Sequence, residues 1–265
     1  MNKSQWSVVG GSVIIFILFY FVFDTKTTSQ KAVESVRSLA MESTNLESML
    51  MDSKDEFTIA QMSAVIALER QLSLLETESD TLELVATYKK LAGEWYKLGK
   101  PAISGAYALK VAQMENLEES WSIAGTTLSL CLQRETEEKV VSYCTEKAIE
   151  AFETAISLNP DNLSNRINLV LTYTENPPKE NPMKGITMLL DLNERYPEQP
   201  LVLNTLASLA IKTSQYERAL ERLNRSFGID PENNKTICML ALVNNQLGRK
   251  EDFERFSQLC NEMNK

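Results

Sequence analysis

The stretch at residues 148–160, AIEAFETAISLNP, has two counterparts further along the chain: GITMLLDLNERYP at 185–197 and ALERLNRSFGIDP at 219–231. Four positions carry the likeness. Ala148, Phe152, Ala155 and Pro160 are separated by four, three and five residues, as are Gly185, Leu189, Leu192 and Pro197, and Ala219, Leu223, Ser226 and Pro231. Spacings of four and three set the first three residues on one face of an α-helix. The proline cannot continue a helix, so each stretch predicts a helix that stops just before it. The prolines lie 37 and 34 residues apart. A period in this range is the mark of stacked supersecondary units, none of which can bury its apolar face alone.

The residues ahead of each stretch predict a partner helix. Trp121, Gly125 and Leu128 precede the first; Leu169, Val170 and Tyr173 the second; Leu206, Ala207 and Ala210 the third. Leu240, Ala241 and Gly248 open a further unit, and a divergent copy starts at Tyr88 with Leu91, Ala92, Trp95 and Gly99. In this the chain resembles the tetratricopeptide repeat family over roughly residues 80–262. The resemblance implies an all-α fold, a right-handed superhelix of antiparallel helical hairpins, with small residues where helices approach closely and an extended concave face. One unit departs from the pattern. Trp121 to Ala148 spans 27 residues where the ordinary repeat has 16, and the added stretch at 132–143 holds no Gly or Pro, so a longer hairpin is expected. The turn at 176–182 (NPPKENP) is also long, with Asn181 expected as N-cap and Pro182 at the first helical position.

From Ser4 to Phe23 there are 20 consecutive residues without a charge, and 13–23 is wholly apolar. A helix needs about 20 such residues to cross a bilayer. Trp6 and Tyr20 suit the interfacial belts, and Asp24 and Lys26 end the run. The run closes on the bulky Phe21-Val22-Phe23 rather than on small residues, so an uncleaved anchor is expected rather than a signal peptide. The expected organisation is therefore a transmembrane helix in 1–24, a juxtamembrane stalk and helical cap in 25–80, and the repeats in 81–265. Two capping boxes are expected: Ser53 with Glu56 opens a helix in the cap, and Asp80 with Glu83 starts the next helix. The anchor, the long hairpin and the stretch NPMKGI at 181–186 resemble membrane-anchored repeat proteins of the Bacteroidota. That likeness implies an inner-membrane tether with the repeats in the periplasm. The count of flanking cations, Lys3 against Lys26, Lys31 and Arg37, points instead to the cytoplasm.

Composition narrows the function. The chain has 36 acidic and 27 basic side chains, a net charge of −9, which disfavours a nucleic-acid backbone. It has no histidine, which removes the commonest general base and the usual haem and zinc ligand. No phosphate-cradling or nucleophile-elbow motif occurs, so no enzyme, cofactor, metal site or small-molecule substrate is expected. Four cysteines lie outside any CxxC motif. Setting Gly125 against Ala148 places Cys131 level with Cys144, near enough for a disulfide; setting Ala241 against Phe253 leaves Cys238 and Cys260 offset by about a helical turn. Packing as buried thiols is the alternative for both pairs.

In this repeat family the groove is lined by the first helix of each hairpin. Carried onto this chain, those positions are Lys89, Gly93, Tyr96 and Lys97; Ser122 and Thr126; Asn168, Leu171 and Thr174; Asn204, Ser208 and Lys212; and Lys235 and Asn245. The family's carboxylate clamp is incomplete, because Gly93 and Met239 stand where it has Asn and Arg. A membrane-anchored adaptor for a protein or peptide partner is the leading expectation. A maturation factor that recognises substrate tails, as in cytochrome c biogenesis, and a fixed subunit of a membrane complex are the alternatives.

Overall fold

Residues 45–78 and 81–264, the part of the chain described by the computed structural model, form twelve α-helices with no strand among them. In order these are α1 (Leu46–Lys54), α2 (Ile59–Glu78), α3 (Thr81–Lys97), α4 (Pro101–Glu115), α5 (Glu118–Arg134) and α6 (Glu138–Leu158). They continue with α7 (Leu163–Glu175), α8 (Lys184–Arg195), α9 (Pro200–Lys212), α10 (Tyr216–Ile229), α11 (Asn234–Gln246) and α12 (Lys250–Met263). From α3 onward they pair as five hairpins, α3/α4 to α11/α12, each packed on the next.

Turn chemistry sets this regularity. Where the quoted stretches end, the amides of Asn159, Tyr196 and Asp230 close the helices on Ala155, Leu192 and Ser226. Past the prolines the amides of Asn162, Gln199 and Asn233 return to the carbonyls of Asn159, Tyr196 and Asp230, each at 3.3 Å. Asn162 and Asn233 then cap the next helices by accepting from Ser164 and Thr236. A second turn recurs inside three hairpins. Gly99, Ser214 and Gly248 adopt positive φ (77°, 58° and 70°), and the amides that follow them bond to Trp95, Ala210 and Asn244. This is the 6→1 bond of a Schellman motif.

The small residues of the repeat stand where helices touch. A Cβ on Gly125 would lie 2.7 Å from the Phe152 ring, and one on Gly185 would lie 2.9 Å from the Val170 carbonyl oxygen. Around these contacts the core runs along the stack. Leu91, Trp95, Leu128, Phe152, Leu189, Leu203, Leu223 and Leu240 are fully buried. The hairpin α5/α6 is the longest, with arms of 17 and 21 residues, and Cys131 and Cys144 form a disulfide between them (Cα–Cα 6.2 Å). In the last hairpin Cys238 and Cys260 are also joined (Cα–Cα 5.0 Å). The offset expected for them fails because Phe256, not Phe253, is the buried anchor of α12, edge-to-face on Phe227. Three residues of register, nearly a helical turn, bring Cys260 level with Cys238.

Two other local expectations are corrected. Ser53 lies buried inside α1, and the helix that follows opens at Thr58, whose amide bonds to Gln61 Oε1 while Gln61 N–H returns to Thr58 Oγ1. Pro182 sits in a turn and Met183 is the N-cap of α8, because Lys184 N–H bonds back to Asn181 O before helical bonding starts. Met49 of α1 and Met62 and Val65 of α2 are buried in the same cluster as Leu91 and Trp95, so these helices close the first end of the core. Among the described residues no helix is long and apolar enough to cross a membrane. The expected anchor at 6–23 and the box at Asp80 fall outside them.

Candidate functional site

The first two repeats enclose an open cleft of about 490 Å³ between α3, α4 and α5. Its floor is made by α4, whose Ser104, Ala108 and Val111 recur at four and three and present short side chains. The floor is close because Gly105, on the same helix, packs against Leu128 of α5, where a Cβ would come within 2.6 Å of the leucine Cγ. Ser104 spends its hydroxyl on the Ala92 carbonyl at 2.7 Å, so the floor carries no unmet donor. Ala92, Gly93 and Tyr96 of α3 form one wall, and Ile123 and Thr127 of α5 the other. Large apolar surface remains in water there: Tyr96 is 47 % exposed, Leu117 56 % and Ile123 54 %.

Charge at the cleft is arranged in two parts. Lys89 Nζ lies 2.6 Å from Glu115 Oε1, and Ser120 donates to the other carboxylate oxygen. The Lys89 and Ser120 hydrogen bonds hold Glu115 below the usual carboxylate range. Glu119, on the first turn of α5, lines the same cleft.

The structure brings together only part of the groove carried over by family position. Lys89, Gly93 and Tyr96 line the cleft. Lys97 is exposed, is not part of the cleft lining, and is paired with Glu94 at 2.8 Å. Ser122 belongs to a structural network: its Oγ lies 2.8 Å from Glu118 Oε1 and 2.6 Å from Asn165 Oδ1, and Asn162 donates to the same glutamate at 2.9 Å. That network, led by Ser122 and opposed by burial, lowers Glu118 as well. Thr126 is exposed beside the cleft residue Thr127. Asn168 and Leu171 are half-buried, and the Thr174 methyl fills the space beside Gly185.

Asn204 is a correction. It is 2 % exposed, and its amide donates to Thr236 Oγ1 at 2.9 Å, tying α9 to α11 rather than facing a partner. Ser208 is half-buried, Lys212 pairs with Glu175, and Lys235 and Asn245 are exposed on α11. The family positions miss Ser104, Ala108, Val111, Glu115, Leu117, Glu119 and Ile123. The short-residue face of α4 was the available signal for the floor. Among the described residues no group of three His, Cys, Asp or Glu side chains is placed to hold a metal.

A tetratricopeptide repeat model matches residues 145–162, the end of α6 and the turn after it, which include the stretch 148–160. No curated protein sequence matches the chain. Among solved structures, MamA from Desulfovibrio magneticus RS-1 aligns over 69 % of this chain and 93 % of its own, at 16 % identity and a TM-score of 0.40. YrrB, described as a TPR protein with an unusual peptide-binding site, aligns over 74 % and 92 % at 13 % identity and 0.36. Yeast Tom70 aligns over 93 % and 65 % at 12 % identity and 0.43.

Proposed function

We propose that the chain is a non-catalytic scaffold of the tetratricopeptide type, held at a membrane by residues 6–23 and presenting the α3/α4/α5 cleft to a protein or peptide partner. The observation that carries this is the cleft itself: exposed Tyr96, Leu117 and Ile123 around a floor of short side chains. Aromatic and aliphatic side chains left in water beside a concavity are the usual anchors of a protein interface. The tether rests on the uncharged run Ser4–Phe23. A periplasmic side, in the manner of the anchored repeat proteins of the Bacteroidota, is supported by the two disulfides, which persist outside the reducing cytoplasm. The cation count favours the opposite orientation. Protease digestion of the repeat domain in intact spheroplasts separates the two: cleavage fits the periplasm and protection the cytoplasm.

The binding reading is tested by affinity capture from the native host. The tagged full chain is compared with a Tyr96→Ala/Ile123→Asp variant, and bound proteins are quantified by mass spectrometry. Loss of an interface anchor costs about 1–2 kcal/mol or more. A partner enriched with the parent chain should therefore fall at least about tenfold with the variant. A partner profile identical for both proteins would refute the cleft as the binding site.

A further inference from the structure

We infer that the cleft selects a segment carrying a large apolar side chain beside a lysine or arginine, and that it discriminates against acidic segments and free C-terminal carboxylates. The inference rests on the scaffold reading above and specifies its ligand.

Charge complementarity carries it. Among the described residues Lys89 is the one cation in the lining, and it is balanced by Glu115, whose two oxygens are taken by Lys89 and Ser120. An anionic ligand reaching Lys89 would meet the Glu115 carboxylate beside it. The Glu119 carboxylate has no side-chain hydrogen bond or ion pair among the described residues, so the ionisable side chains of the lining sum to one net negative charge. Glu119 and Ile123 are four residues apart on α5, which sets them side by side about 5–6 Å apart at Cβ. A ligand that buries an apolar side chain against Ile123 and Tyr96 thus needs its cation within about one helical turn, or the adjacent one or two positions if extended.

Gly93 supports the same reading. It lies inside α3, where glycine costs about 1 kcal/mol relative to alanine. Nothing within 4 Å of its missing Cβ requires it. Gly125 and Gly185 are explained by a helix packed against them; Gly93 lines the cleft. The space it leaves lets a ligand backbone lie against α3.

The test uses the full chain in detergent micelles and fluorescein-labelled Ala/Gly dodecamers, C-terminally amidated in the first two series. One series carries Phe with Arg one to four positions away. A second replaces Arg by Glu, and a third holds Phe alone with a free C-terminal carboxylate. At low salt the best Phe/Arg peptide should bind at least about tenfold more tightly than its Phe/Glu counterpart, since like charges across an interface are strongly disfavoured. Glu119→Lys should abolish or invert that preference. Gly93→Leu should weaken every peptide while far-UV ellipticity shows the helices intact. Equal binding of Phe/Glu peptides, or a Phe/Arg preference unchanged in Glu119→Lys, overturns the inference. If no dodecamer binds while affinity capture still depends on Tyr96 and Ile123, the segment specificity fails and the scaffold reading stands.

Discussion

Alanine in place of glycine is the same chemical change wherever it is made, and it restricts the unfolded chain by a similar amount. At Gly185 and Gly93 the folded structure should nevertheless give it opposite signs. A Cβ on Gly185 would sit 2.7 Å from Thr174 Cγ2, 2.9 Å from the Val170 carbonyl oxygen and 3.1 Å from the Thr174 amide nitrogen. Two of these atoms are backbone of α7, so relief requires α7 and α8 to separate. Overpacking of this kind costs about 1–3 kcal/mol. The offset from helix propensity is about 1 kcal/mol at most, and smaller at the second residue of α8. Gly185→Ala should therefore destabilise by about 1–2 kcal/mol, lowering the melting midpoint by roughly 3–6 °C for a domain of this size. Gly93→Ala meets nothing within 4 Å and should stabilise by about 0.5–1 kcal/mol. The assay is urea unfolding of the full chain in detergent, followed by ellipticity at 222 nm, with the slope compared so that loss of cooperativity between repeats is detected. A Gly185→Ala protein as stable as its parent would refute the close-packing account of the repeat.

Gly125→Ala strikes the Phe152 ring rather than backbone, so it should destabilise alone and be partly rescued in Gly125→Ala/Phe152→Leu; equal loss in both would contradict the contact, as read by the same urea titration. Ser214 holds φ 58°, a left-handed conformation that costs a non-glycine residue about 1 kcal/mol, so Ser214→Gly should raise the urea midpoint. The Cys131–Cys144 bridge closes a short loop, 13 residues apart in sequence, and Cys131→Ser/Cys144→Ser should cost about 3 kcal/mol measured against the oxidised parent. Glu115 and Glu118 both titrate below the ordinary range, through hydrogen bonds from Lys89 and Ser122 first. The stability they contribute is full above the ordinary value of about 4.3 and is lost as the pH falls through their lowered values. Glu115→Gln/Glu118→Gln should flatten the fall in stability below that pH, and an unchanged slope would contradict the assignment.

What could be read from the chain alone divides by range. The helix stops before Pro160, Pro197 and Pro231 are local chemistry, and the bonds around them repeat from unit to unit. Register between helices is not local. Phe253 and Phe256 are three residues apart on one amphipathic helix, and packing within the cluster of α9, α10 and α11, the Phe227 ring included, decides which is buried, and with it where Cys260 falls. The site shows the same divide. Lys89, Gly93 and Tyr96 follow from their place in the repeat, but the floor belongs to the second helix of the hairpin, and Glu115 and Glu119 lie at helix ends that the repeat pattern does not specify. Asn204 falls at a groove position of the repeat; its burial depends on Thr236, 32 residues away, supplying both donor and acceptor.

Whether a protein partner seats in the α3/α4/α5 cleft is decided by site-specific photocrosslinking in the native host. A photoreactive phenylalanine is placed at Tyr96 or Ile123, and for comparison at Lys235, which is exposed on α11 well along the repeat array. A partner seated in the cleft should give one or a few discrete protein adducts from both cleft positions, absent from Lys235 and lost when Gly93→Leu is added. No adduct from either cleft position, or the same adducts from Lys235, would contradict it.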